Sequence, residues 1–135
     1  MTGSPLRVRK RSEYLVIQRD GRRASTPAFA FLLRARADES GPALGITASR
    51  RIGNAVTRNR AKRLVREAFR ATPELWDRRL DVVVVVKRPL AGYKLGDVVT
   101  EWRAAVRTIS RQGTAALADR ERREASTESR VANGD

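Results

Sequence analysis

Five consecutive valines, residues 82–86 within DVVVVVKRP, constrain the fold more tightly than any other feature of the chain. β-Branched side chains pack well on a pleated surface, and a run without polar alternation belongs to a strand buried on both faces. Such a strand sits in the middle of a sheet. The stretch ALGITAS, residues 43–49, lies about thirty residues upstream with a helix-period segment between, so the two are expected to be parallel neighbours joined by a crossover.

Other elements fit around that centre. AFAFLLRAR, residues 28–36, and ALGITAS read as a hairpin joined by the Gly-Pro-containing ADESGP. In the first of these, Phe29, Phe31 and Leu33 share one face while Ala30, Leu32 and Arg34 share the other. Ser12 is an expected cap for a short first helix closed by Gly21, with Tyr14, Leu15, Ile17 and Gln18 on or beside its buried side. A last helix, capped by Asp97 and followed by Gly113, buries Val98, Trp102, Ala105, Val106 and Ile109, with Trp102 as a core anchor rather than a base-stacking platform. From residue 114 the chain has mixed charge and almost nothing to bury. The reading is therefore one domain over 1–113 and a disordered tail over 114–135 whose removal leaves folding intact.

Charge separates these segments further. The chain carries 29 basic and 15 acidic residues, a net +14, and such an excess repels itself unless a polyanion is present. Half of it lies in residues 50–70, where eight bases accompany Glu67 alone. Helical geometry sorts that segment: Ala61, Leu64, Val65, Ala68 and Phe69 fall within roughly 140°, and Arg58, Lys62, Arg63, Arg66 and Arg70 fill a similar arc opposite. Asn59 points into the middle of the basic arc, Arg60 lies off its edge, and Arg63 is spaced to pair with Glu67. Solvated faces mix signs, and this one does not. Bases spaced along a helix can meet successive phosphates, and Asn59 can hydrogen-bond a base edge or a 2′-hydroxyl. Just upstream, Gly53 and Asn54 can present backbone N–H groups to a phosphate at the helix start, flanked by Arg50 and Arg51.

The chain has neither cysteine nor histidine, so thiolate chemistry, cysteine-based zinc sites and the usual general base near neutral pH are excluded. Its carboxylates are scattered; Asp38 and Glu39 read as loop charges. No P-loop or dinucleotide fingerprint is present, and no apolar run approaches the roughly 20 residues of a membrane helix. A soluble, cytoplasmic, nucleic-acid-binding protein without catalytic residues of its own is expected, with no membrane and no protein partner implied.

The basic stretch also resembles a family signature. Ser49, Arg50, Arg51, Gly53, Asn54, Ala55, Val56, Arg58, Asn59, Lys62, Arg63, Arg66 and Glu67 match the pattern Ser-Lys/Arg-Lys/Arg-x-Gly-Asn-Ala-Val-x-Arg-Asn-x-x-Lys-Arg-x-x-Arg-Glu of the protein subunit of bacterial ribonuclease P. The resemblance extends over roughly residues 6–112. It implies an α+β fold, an α/β sandwich with a mixed, roughly four-stranded sheet, about three helices and a left-handed βαβ crossover, against the usual right-handed rule. It also implies a protein that binds the catalytic RNA and the 5′ leader of precursor tRNA. The RNA, with Mg²⁺ bound mainly to it, removes the leader. On this resemblance the RNA faces Arg50, Arg51, Gly53, Asn54, Arg58, Asn59, Arg60, Lys62, Arg63 and Arg66, and the leader runs over a cleft containing Tyr14, Gln18, Phe31 and Leu32. Gln18 and Leu32 stand where the family tends to show aromatics, which leaves stacking, worth about 1–3 kcal/mol per base, chiefly to Tyr14. A structural RNA-binding protein, ribosomal or assembly factor, shares the charge without requiring the long motif. A helix-turn-helix DNA binder fits the basic helix but not the valine strand that follows it.

Overall fold

The computed structural model describes residues 6–8 and 11–133. Its elements run β1 (Leu6–Arg7), α1 (Arg11–Asp20), β2 (Arg22–Ser25), β3 (Phe29–Ala35), β4 (Ala43–Thr47), α2 (Ala55–Ala71), β5 (Leu80–Val86), α3 (Leu95–Ala104) and α4 (Val106–Asn133). They form a mixed sheet in the order β1-β4-β5-β3-β2. Four strands carry the sheet, and two-residue β1 adds a short edge beside β4. The valine strand β5 is central, as its composition demands: Val82, Val83, Val84 and Val86 are buried. β5 runs parallel to β4, with α2 as the crossover, and antiparallel to β3.

The expected hairpin between residues 28–36 and 43–49 does not form, because β5 lies between β3 and β4. A strand with five successive valines gains most by pairing on both edges under cover on both faces, so it separates the two strands that sequence order would join. The hairpin that does form is β2–β3, with Arg22 opposite Leu33 and Ser25 opposite Ala30. Polar RRAS gives no strand signal of its own; its one buried residue is Ala24. Glu101 of α3 holds the β2–β3 turn: one carboxylate oxygen accepts from the Thr26 hydroxyl (2.6 Å) and the Ala28 N–H (3.0 Å), the other from the Tyr93 hydroxyl (2.8 Å).

The two sheet faces are covered unequally. Phe29, Phe31, Leu33, Val82 and Val84 belong to a large core roofed by α2, α3 and α4. Trp102 is its centre, meeting Phe29, Phe31 and Trp76 edge-on at 5.2–5.8 Å, while Phe69 stacks on Trp76. Edge-to-face rings add to the burial energy of such large side chains. The opposite face has a smaller core, in which Ile17 of α1 meets Leu32, Ala43 and Val83 with Tyr14 beside them. α1 begins at Arg11, one residue before the expected cap, and Leu15 is exposed rather than buried.

The C-terminal region differs most from the sequence reading. Lys94, not Asp97, occupies the N-cap of α3, and Asp97 sits at N3, where its carboxylate accepts from the Lys94 N–H at 2.8 Å. The expected single helix breaks at Ala105, leaving Val106 exposed. Gly113 does not end the helix; α4 runs on to Asn133. Residues 114–127 are thus helix rather than loose tail, with Ala116 buried in the main core and the Arg22 guanidinium donating twice to Asp119, at 2.8 Å each. Few apolar residues suffice here, because the helix lies along β2 and β3 already anchored by Ile109.

Candidate nucleic-acid interface

α2 has the composition of a two-faced helix and folds as one. Its N-cap Asn54 accepts the Thr57 N–H through its side chain at 2.9 Å, and the helix stops at Thr72 before Pro73. Gly53 precedes the cap with φ 143°, a conformation that side-chain-bearing residues rarely adopt, and a Cβ there would lie 2.9 Å from the Thr57 side chain. Before it, Arg50–Ile52 forms a 3₁₀ turn that drives Ile52 into the main core and leaves Arg50 and Arg51 exposed.

All five expected apolar positions, Ala61, Leu64, Val65, Ala68 and Phe69, are buried. Opposite them Asn59, Arg63 and Arg70 are exposed and Arg58, Lys62 and Arg66 half-buried. None of these six has an ion-pair or hydrogen-bonding side-chain partner among the described residues, and Arg63 and Glu67 do not pair. The exposed first turn, residues 54–57, continues the same surface.

Arg60 departs from the expected set. Its guanidinium turns back and donates to the Leu90 and Tyr93 carbonyl oxygens at 3.1 and 2.5 Å, clipping the loop after β5 onto α2. Phe31 departs as well: it is fully buried against Trp76 and Trp102, on the sheet face away from α1, and has no access to a leader. In a strand the two faces alternate, so Phe31 and Leu32 cannot line one cleft.

The remaining cleft residues come together around α1. Tyr14, Leu15, Gln18, Arg11 and Thr47 surround a shallow depression, and Leu32 is buried beneath α1. Tyr14 lies against Gly45, where an added Cβ would stand 2.9 Å from the ring, so a larger residue would displace the aromatic. Tyr14 also borders a second groove, floored by Leu44 and Ile46 and walled by Lys62, Arg66 and Arg70 of α2. One aromatic therefore stands between the basic helix and the α1 surface. Arg7 lines this second groove too; only the parallel pairing of β1 with β4 brings it there, and nothing local in the sequence marks it.

Elsewhere Asp20, Asp38, Glu74, Asp77, Asp81, Asp119 and Glu124 are each engaged by an arginine. The Asp119 carboxyl lies below the usual carboxylate range chiefly through the Arg22 hydrogen bonds, and Asp77 likewise through Arg79. Asp81 moves the other way, because burial outweighs the nearby Arg36. Among the described residues no three acidic side chains converge to hold a metal ion, and no helix is long and apolar enough to cross a membrane.

A family model described as Ribonuclease P matches residues 3–110. The chain is similar to the ribonuclease P protein component of Syntrophus aciditrophicus, at 40% identity over 95 residues, 70% of this chain and 79% of that one. A second relative, the ribonuclease P protein component of Maridesulfovibrio salexigens, is 38% identical over 84 residues, 62% of this chain and 68% of that one. Among solved structures, the RNase P protein from Thermotoga maritima aligns with a TM-score of 0.66 at 28% identity, covering 75% of this chain and 96% of that one. The Staphylococcus aureus RNase P protein aligns with the same TM-score at 21% identity, over 79% of this chain and 95% of that one, a likeness of fold.

Proposed function

The chain belongs to the ribonuclease P protein family, and on that premise we propose that it is the non-catalytic subunit of the enzyme, gripping the catalytic RNA through α2 and the 5′ leader of precursor tRNA through the α1 cleft. The observation that carries this reading is the unpaired basic face of α2: Arg58, Lys62, Arg63, Arg66 and Arg70 lie opposite a buried stripe, without a carboxylate partner among the described residues. RNA phosphates supply the missing counter-charge, with release of condensed ions adding to affinity. Arg50, Arg51, Gly53 and Asn54 extend the contact to the helix start, where the dipole favours a phosphate. Asn59, exposed among the bases, is placed to bond a base edge or a 2′-hydroxyl.

Tyr14 offers the stacking surface for a leader base, with Gln18 beside it as a hydrogen-bonding group and Leu32 supporting α1 from below. Because Tyr14 also borders the groove walled by Lys62 and Arg66, one strand can pass from the basic helix to the α1 cleft. On this reading the Mg²⁺ ions of the hydrolysis are bound mainly by the RNA, whose phosphates supply their ligands. The chain's own contribution is to position substrate and to lower the repulsion between two RNAs, in the cytoplasm where bacterial tRNA precursors are processed.

Adding the purified chain to catalytic RNA and precursor tRNA at low Mg²⁺ tests this. Faster formation of the mature 5′ end is expected. An unchanged rate with RNA binding intact would leave a structural RNA-binding protein instead.

A further inference from the structure

At the outer edge of β4 the sheet stands open between α1 and α2. β1 pairs with Ala43 and Leu44 alone, and the Val8 N–H donates to the Leu44 carbonyl oxygen at 3.1 Å; among the described residues no strand covers β4 beyond that point. Successive strand residues face opposite layers, so this edge is apolar on two sides. Leu44 and Ile46 pack with the main core, on the side of α2, while Tyr14 lies against Gly45 on the side of α1. The groove of about 290 Å³ that borders Tyr14 wraps around the edge and takes its floor from both sides.

The rim of the groove is cationic. Lys62, Arg66 and Arg70 follow one another at four-residue intervals, about 6 Å apart along the axis of α2, and Arg7 meets the groove from β1. Arg7 and Arg70 are exposed and Lys62 and Arg66 only half-buried, so each keeps surface that a ligand can reach. Among the described residues none of the four has an ion-pair partner, and no carboxylate lines the groove. Like charges around one concavity repel, and an anion relieves them. The floor narrows the choice of anion. Inorganic phosphate would leave Leu44 and Ile46 wet, whereas a nucleotide covers them with its base and meets the cations with its phosphate. The volume lies at the small end of ligand pockets and suits one nucleotide.

We propose that this groove seats one unpaired nucleotide of the 5′ leader, its base on Ile46 and Leu44 beside Tyr14 and its phosphate between Arg7 and the cations of α2. The seat rests on the leader reading above and extends it: the strand turns around the open edge of β4, and Arg7, outside both α1 and α2, becomes an RNA-binding residue. An arginine fork suits that task, since it meets a phosphate through two parallel hydrogen bonds.

The test uses the full chain assembled with the catalytic RNA, and the variants Arg7→Gln, Ile46→Ser and Ile46→Val. Affinities are measured for precursor tRNA, for the same tRNA without its leader, and for precursors with one abasic nucleotide at each leader position in turn. Arg7→Gln is expected to weaken precursor binding about tenfold and to lower its salt slope by about 0.7, one single-strand phosphate contact, with binding of the leaderless tRNA unchanged. In the original chain an abasic nucleotide at the seated position should cost at least about fivefold. Ile46→Ser should abolish that penalty and Ile46→Val retain it, a comparison made within each chain and so independent of its stability. Equal losses with and without the leader overturn the groove as a leader site. An abasic profile indifferent to Ile46 overturns the seating of a base. Thermal melts with adenosine monophosphate separate a free ligand: a stabilisation lost in Arg7→Gln while precursor binding stays unchanged would give the groove to a free nucleotide and overturn the proposal. A preference for precursor over leaderless tRNA that no variant alters removes the seat alone, whereas no such preference in the original chain removes the leader reading with it.

Discussion

Two arginine-rich helices of this chain put their charges to opposite uses. Across α2 a single acid, Glu67, accompanies six bases, and among the described residues none of the six forms an ion pair. Along α4 the run DRERRE, residues 119–124, mixes signs, and Asp119, Arg120, Arg122 and Glu124 bond within it or, for Asp119, to Arg22 of β2 as well. The apolar stripe holds α2 to the protein, so its charge is available to something else. After Ile109, α4 buries little apolar surface except Ala116 and part of Leu117, and its charges help to hold it down. Arginine content alone does not mark an RNA surface; lack of an internal counter-charge does.

The largest test of this contrast replaces Arg58, Lys62 and Arg66 of α2 together with glutamine. Affinity for the catalytic RNA is expected to fall on the order of a hundredfold, and its salt slope by about 2–3. The melting temperature should hold or rise, because like charges on one face repel. A lower melting temperature with unchanged affinity would reverse the assignment of the two helices.

Removing residues from Thr114 onward is the complementary experiment. The sequence reading expects no effect on folding, whereas the buried Ala116, the half-buried Leu117 and the Arg22–Asp119 pair predict a loss of about 2 kcal/mol. Chemical denaturation measures it. An unchanged midpoint would show that the seam along α4 contributes nothing.

Arg60 sharpens the comparison at smaller scale, since it lies on α2 yet behaves like a residue of α4. Arg60→Ala should cost about 1–2 kcal/mol of stability by releasing the Leu90 and Tyr93 carbonyls, with little change in the salt slope of RNA binding. A slope change of about one would return Arg60 to the RNA face.

Much of this was legible in the sequence where one segment carries its own signal. The five buried positions of α2 follow from a 3.6-residue period, and the central place of β5 from five valines. The helix start at Gly53 and Asn54 and the role of Trp102 as a core anchor are likewise local or nearly so. Polar β2 escaped because its pairing is imposed by β3; alternation alone already parts Phe31 from Leu32, and that Phe31 turns to the main core and Leu32 to α1 follows only from what packs on each face.

The sequence by itself determined which surfaces are apolar and which are charged, since periodicity and sign belong to single elements. Only the tertiary structure decided who answers them. The place of β5 between β3 and β4, the turning of Arg60 onto a loop carbonyl and the docking of α4 on β2 all join residues distant in the chain. Partnership is a property of distance in space, and a local pattern carries no record of it.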